Sequence, residues 1–461
     1  MRHAALVLMF LLGACKNGND GLVPMSSPSE GGASSRTDQA FPAEPPPEAA
    51  LEGACSWPFV SDPDLLNVAF PDEAATYWVT ALPAIPGSRL RIEGQFPQAR
   101  YFSFNVYDPQ LRPVDAITDY ELLPRVPGTN PYRNSGAAAG GDYVAYIAPE
   151  PKSEEAAPNT LYSASVTLPG GTSLPLNPLP LLIYRIYLPE GNGNGAVSLP
   201  KLTYETADGS AAPLSLSLCQ PLPPDGIPGV LNDLIREASF PLSAAAPSGP
   251  AEAPRVNRFY NLFESGRVVL SSLLGVELPG NPLTEGGGGG FLSNVDNAYV
   301  SALFRRDEGP LYVVRAKAPS YAQIPTDAPL GSAQLRYWSL CTNEFATQRF
   351  VACLADFQMP LDRHGYFTLV VSDPDQRPGN AVPENGIAWL PWGGLYPDSL
   401  LIYRHMLPNA SFAEAIQNIP FGTPPQDVMG EYFPRVSYCD RATVESAGTE
   451  PAAIFAACAR P

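Results

Sequence analysis

Basic residues are scarce in this sequence: 28 Lys and Arg stand against 46 Asp and Glu, for a net charge of −18. No cluster of Lys or Arg offsets that balance, so nucleic acid is excluded as a partner, because its phosphates demand a basic patch. Electrostatic docking on anionic lipid is excluded on the same ground. Histidine is scarcer still, with three residues, of which His3 lies in the leader described below. No two cysteines form a C-x-x-C pair, so a zinc site would lack its ordinary ligands, and no metal or other cofactor is expected. Charged residues make up 16% of the chain, under the roughly 25% of a typical soluble domain, which leaves little for long solvated helices. After the leader, no apolar run approaches the roughly 18 residues of a membrane-spanning helix. The motifs G-x-S-x-G, H-E-x-x-H, G-x-x-x-x-G-K-S/T and a post-strand G-x-G-x-x-G are missing, which removes the commonest hydrolase, metalloprotease and nucleotide signatures. The glycine run Gly286 to Gly290 has no Lys-Ser/Thr after it and reads as a loop.

What is present begins at the amino end. Arg2 supplies a positive charge, Ala4 to Leu12 is apolar, and small residues follow, as in a secretory signal. The run is shorter than the roughly 20 residues needed to span a bilayer. Leu12-Gly13-Ala14-Cys15 has the form of a bacterial lipobox, which implies acylation of Cys15 and cleavage before it. Several acyl chains, at about 0.8 kcal/mol per buried methylene, would hold the protein on a membrane. Lys16 follows, not the aspartate associated with inner-membrane retention, which points to the outer membrane if the cell has one.

From Lys16 to Gly53 the chain is Ser, Pro, Gly, Ala and acidic residues with almost nothing to bury, the composition of a disordered tether. Beyond it, segments rich in Tyr, Phe, Val and Ile alternate with Gly and Pro, two residue types that together make about a fifth of the chain. Arg89–Glu93, Arg100–Tyr107, Tyr143–Ala148, Leu181–Leu188, Tyr312–Ala316, Arg336–Leu340, Tyr366–Ser372 and Leu400–Leu407 are expected to be strands. Helices are expected over Ile227–Ala238 and Asn257–Ser272, and after the capping box Ser411-Phe-Ala-Glu414.

An internal repeat organises these segments. Leu181-Leu-Ile-Tyr-Arg-Ile-Tyr-Leu-Pro189 matches Leu400-Leu-Ile-Tyr-Arg-His-Met-Leu-Pro408 at seven of nine positions. Arg100-Tyr-Phe-Ser103 answers Arg336-Tyr-Trp-Ser339 upstream, and Cys219 and Cys439 follow at similar distances downstream. The expected fold is mostly β: two tandem, internally duplicated, jelly-roll-like sandwiches. The expected divisions are a signal and lipobox at 1–15, a tether at 16–53, a first sandwich at 54–222, a partly helical connector at 223–289, a second sandwich at 290–445 and a tail at 446–461.

Six cysteines remain after Cys15, and six allow fifteen pairings. Cys55 and Cys219 bracket the first sandwich. Cys341 and Cys353 fall on successive expected strands, close enough for the 4.4–6.8 Å Cα separation a disulfide usually needs. Cys439 and Cys458 are left for the carboxyl tail. Cysteines paired this way fit an exported protein.

At Arg336-Tyr-Trp-Ser-Leu-Cys341, Ile387-Ala-Trp-Leu-Pro-Trp-Gly393, Val428-Met-Gly-Glu-Tyr432 and the Leu-Leu-Ile-Tyr-Arg repeat, the sequence resembles an uncharacterised family of exported bacterial envelope proteins. The resemblance implies the tandem-sandwich architecture and transfers no catalytic residue.

Few residues stand out as candidate chemistry. Arg185 and Arg404 sit inside apolar strands and must each find a carboxylate or carbonyl partner, because an unpaired buried charge is prohibitive. Arg336, Trp338, Asp356, Trp389, Trp392, Arg404 and His405 are the candidate ligand-binding set, since arginine and aromatic rings around a cleft suit a carbohydrate or small aromatic ligand. His405 and Asp356 also carry the alternative, an extracytoplasmic hydrolase acting on a polysaccharide or ester. His364 in Asp362-Arg-His-Gly365 reads as a turn residue, and Asp373-Pro-Asp375 lacks the spacing of a calcium loop. The first reading is a non-catalytic binding or structural module of the cell envelope, held to the membrane by lipid on Cys15.

Overall fold

Alternation is the physical origin of the architecture. In the strand Leu181–Tyr187, Leu182, Tyr184 and Ile186 turn one way and Ile183, Arg185 and Tyr187 the other, and from Leu182 onward every residue is buried. A strand buried on both faces must have a layer above and a layer below, and the fold supplies both. The structure, a computed structural model, describes residues 56–61, 69–85, 87–108, 111–137, 140–164, 166–167, 173–174, 177–191, 193–206, 208–214, 254–259, 292–344, 348–393 and 398–459. All of them fall in one compact unit, Pro46–Pro461. Cys15, the tether, Cys55, Cys219, the segment Ile227–Ala238 and Gly286 to Gly290 lie outside the described residues.

Among the described residues nineteen strands form four sheets, beside a two-stranded ribbon of Val166–Thr167 and Ser173–Leu174. One inner sheet has the order Phe59–Ser61, Ala75–Ala81, Leu181–Tyr187, Tyr101–Tyr107, Pro113–Thr118. The other has the order Asn257–Phe259, Asn297–Arg305, Asp398–Pro408, Leu335–Asn343, Phe350–Ala355. Each inner sheet is faced by an outer one. The first outer sheet runs Ala211–Pro213, Lys201–Thr206, Ser88–Gln95, Asp142–Ala148, Thr160–Tyr162, and the second runs Arg435–Cys439, Leu311–Lys317, Tyr366–Ser372, Ile387–Pro391. Apart from the short edge strand Ala211–Pro213, the two halves have the same strand order, and in both the outer sheet ends in a parallel pair.

Each half has its own sandwich core. Phe104, Tyr184 and Ile186 of the first inner sheet meet Ile92, Tyr143 and Ala145 of its outer sheet. Trp338, Leu401 and Tyr403 meet Tyr312, Phe367 and Leu369 in the second half. A further cluster joins the backs of the two inner sheets: Ala75, Tyr101 and Tyr187 from one, Tyr337, Ala355 and Met406 from the other.

Local signals and tertiary outcome differ at three places. Asn257–Phe259 is a strand on the edge of the second inner sheet, not the start of a helix; the open edge of Asn297–Arg305 satisfies its backbone groups and outweighs helical propensity. The capping box at Ser411 leads only to the 3-10 turn Ile416–Asn418, because the Ser411 amide and hydroxyl both bond Asn409 Oδ1. Past Ser446 the chain is folded: the helix Pro451–Cys458 buries Ile454 beside Val444 and Leu311.

Among the described residues there are two disulfides, of which the strand reading set one pair, Cys341 and Cys353, side by side. Cys341 and Cys353 are cross-strand partners with Cα atoms 4.1 Å apart, and Cys439–Cys458 ties the last strand to the last helix.

Candidate functional site

The faces that the inner sheets turn toward each other carry buried polar residues, among them Ser103, Arg185, Ser339 and Arg404. Arg185 lies opposite Ser103 and Tyr77 in its sheet, and Arg404 lies opposite Ser339 and Tyr299 in the other. Strand geometry aims both guanidinium groups into the junction between the halves. There they line a cleft of about 100 Å³, together with Tyr77, Tyr187, Tyr299 and Asn294. Its apolar wall includes Val79, Ile183, Phe259 and Ile402.

Arg404 is held by an acid. Its Nη1 donates to Asp72 Oδ2 at 3.3 Å and to Cys341 Sγ at 2.8 Å, and its Nη2 donates to the Phe70 carbonyl at 2.6 Å. Asp72 also accepts from the Tyr337 hydroxyl at 3.0 Å and from Ser339 Oγ at 2.7 Å, so its carboxylate is satisfied without water. Arg185 bonds the carbonyl of Leu292 through Nη2 and lies over the rings of Tyr77 and Tyr107, at 5.6 and 5.4 Å. Among the described residues no carboxylate stands within ion-pair distance of Arg185, and the place corresponding to Asp72 is taken by Asn294.

Beside the cleft, two ion pairs cross between the halves in reciprocal fashion. Arg336 Nη1 lies 3.1 Å from Asp119 Oδ2, and Arg100 Nη1 lies 2.6 Å from Asp356 Oδ1. Each acid also accepts a backbone N–H at a corresponding point: Phe102 for Asp119 and Trp338 for Asp356. Burial pushes the Asp119 carboxyl up to about 6 against the pull of Arg336, and pushes Asp356 upward against the pull of Arg100.

The candidate residues named from sequence do not gather in one place. Arg404 lines the cleft, whereas Arg336 and Asp356 are committed to the crossing ion pairs. Trp338 is buried in the second core, with Nε1 on the Pro319 carbonyl, and Trp392 packs edge-on to Tyr312 at 5.0 Å. Trp389 bonds Ser372 Oγ and lies under Arg377. His405 turns away from its neighbour Arg404 into the second core, 4.7 Å from the Tyr403 ring, where Nδ1 accepts the Ile416 N–H. Burial, reinforced by Arg258, lowers its pKa to about 3, so it is neutral at any ordinary pH. His364 stands in an exposed turn closed by Gly365 at φ 76°. Asp362 pairs with Arg315, and Asp373 pairs with Arg306.

Sequence reasoning passed over Asp72, Asn294, Ser293, Tyr77 and Tyr299, all within this junction. A signal existed: Phe70-Pro-Asp72 and Leu292-Ser-Asn294 each end three residues before a strand whose central partner is the repeated Arg strand. Extending the repeat upstream would have aligned them.

No protein-family model matches the chain, and no curated protein matches it. Among solved structures, an uncharacterised protein from Burkholderia cenocepacia superposes with a TM-score of 0.40 at 13% identity, over 78% of this chain and 83% of its own. A protein from Vibrio parahaemolyticus gives 0.36 at 12% identity, over 85% and 98%. Likeness at that level carries no statement about activity.

Proposed function

We propose that this protein is an exported, lipid-anchored binding module of the cell envelope, without catalytic activity of its own. The observation that carries the reading is the cleft at the junction, a concave site lined by two buried arginines, one from each inner sheet, together with apolar side chains. Such a lining binds and orients small molecules. The groups that would have to drive hydrolysis are engaged elsewhere. His405 is neutral and packed in a core away from the cleft, and Asp356 holds Arg100. The disulfides support an oxidising compartment, which agrees with the signal-like residues before Cys15. Matching strand orders support descent of the two halves from one duplicated sandwich.

Two measurements test this. Wild-type protein should partition into detergent, and Cys15→Ser should move it to the aqueous phase; equal partitioning removes the lipid anchor. A screen of ester and glycoside substrates should give no turnover, and turnover abolished by His405→Asn or Asp356→Asn would replace the binding reading with the hydrolase one.

A further inference from the structure

The two arginines of the cleft occupy corresponding positions but keep different company. Where Arg404 meets Asp72, the matching position in front of Arg185 belongs to Asn294. The correspondence is close. Asp72 Oδ1 accepts from Tyr337, and Asn294 Oδ1 accepts from Tyr101, the residue at the same point of the other repeat. The Phe70 carbonyl receives Arg404, and the Leu292 carbonyl receives Arg185. The second terminal atom differs: Asp72 offers Oδ2 to its arginine, whereas the amide nitrogen of Asn294 can only donate, and does so to the Tyr101 hydroxyl. The consequence is visible on Arg185, which is 2% exposed and whose Nη1 has no hydrogen-bond partner among the described residues. Ser293, which also lines the cleft, has its Oγ likewise buried without a partner among the described residues. Asp296 feels the charge of Arg185, but its carboxylate is bound by the hydroxyls of Tyr101 and Thr118. One half of the junction therefore contains an acid for its arginine, and the other has an open place for one.

We propose that the cleft binds a small carboxylate with an apolar body, the carboxylate bonding Arg185 Nη1 and Ser293 Oγ. The body lies against Val79, Ile183, Phe259 and Ile402. A planar carboxylate suits a guanidinium better than a point charge does, and a buried charged hydrogen bond is among the stronger contacts available. An apolar wall and a net charge of −18 favour a monoanion over phosphate or sulfate. This assignment rests on the binding-module reading above.

Titration calorimetry of the full-length protein in detergent, with benzoate, benzamide and sulfate as probes, tests it. Benzoate should bind with one-to-one stoichiometry, and benzamide and sulfate should bind at least about tenfold more weakly, the difference one charged contact makes. Asn294→Asp supplies the missing acid internally: it should fold, melt no lower than wild type and bind benzoate at least about tenfold more weakly. Ser293→Ala should weaken benzoate binding by a smaller factor. Benzoate binding no tighter than benzamide or sulfate, or unchanged in folded Asn294→Asp, overturns the assignment. Preferential binding of benzamide would do so while leaving a binding module in place, whereas the module itself fails on substrate turnover, a separate observation.

Discussion

Arg336 of the second half lies 3.1 Å from Asp119 of the first, both side chains sealed from water, across 217 residues of sequence. The reciprocal pair, Arg100 with Asp356, is less enclosed, since Arg100 remains 14% exposed. A buried ion pair is weak evidence of net stability, but breaking one strands a charge. Arg336→Met should therefore destabilise the fold by about 3–5 kcal/mol, and Arg100→Met by less. In Arg336→Met with Asp119→Asn the penalty should shrink, because no charge is left alone. Urea unfolding of the single and double variants checks this; costs that add to within about 0.5 kcal/mol would show that the pair is not coupled.

The two repeated arginines should respond unequally to the same substitution. Arg404→Met leaves the buried Asp72 carboxylate without its cation and should cost about 3–5 kcal/mol. Arg185→Met strands no directly paired acid among the described residues and removes one of the two donors to the Leu292 carbonyl, which keeps the Tyr107 hydroxyl, a cost of about 0.5–1.5 kcal/mol. Thermal melts of the two variants give the comparison. A larger loss for Arg185→Met would mean that a carboxylate such as Asp296 balances its charge in the folded state.

His405 makes stability depend on acid. Its folded pKa of about 3 lies below the ordinary 6.5, so between those values the unfolded chain binds the proton and the folded chain does not. Stability from this group is thus fully present above about pH 6.5 and is lost as pH falls, by up to about 1.4 kcal/mol per unit. His405→Asn keeps an acceptor for the Ile416 N–H but does not titrate. The difference in unfolding free energy between variant and wild type should shift toward the variant as pH drops from 7 to 4. A constant difference over that range would refute the buried neutral imidazole. Asp119, whose raised pKa works in the opposite direction, is common to both proteins and cancels.

The Cys439–Cys458 bridge closes a span of 19 residues and fastens the final helix to the final strand. Replacing both cysteines with serine should lower stability by about 3 kcal/mol. Hydrogen exchange should rise first in the amides of Pro451–Cys458. Uniform exchange across the second half would show instead that the helix is held by Ile454 and its packing alone.

The sequence was most legible where physics is local. Alternating Tyr, Phe, Val and Ile marks strands because a pleated chain sends neighbours to opposite faces, and each of the eight segments read that way is a strand. Cys341 and Cys353 were readable as a pair because successive antiparallel strands bring near residues into register. The repeat of Leu181 to Pro189 at Leu400 to Pro408 was likewise visible, and it located Arg185 and Arg404 as residues needing partners.

Identifying those partners required the tertiary structure. Asp72 is 332 residues from Arg404, and the upstream extension of the repeat that would align it with Asn294 does not say which guanidinium it holds. Trp338 and Trp392 illustrate the same limit in reverse: an aromatic ring looks alike in sequence whether it faces a ligand or, as here, a core. Spacing along the backbone by itself determined eight strands, the Cys341–Cys353 pair and the inward arginines. How the two inner sheets meet decided which arginine received an acid and which faces the cleft without one, because charges distant in sequence interact only after folding has removed the water between them.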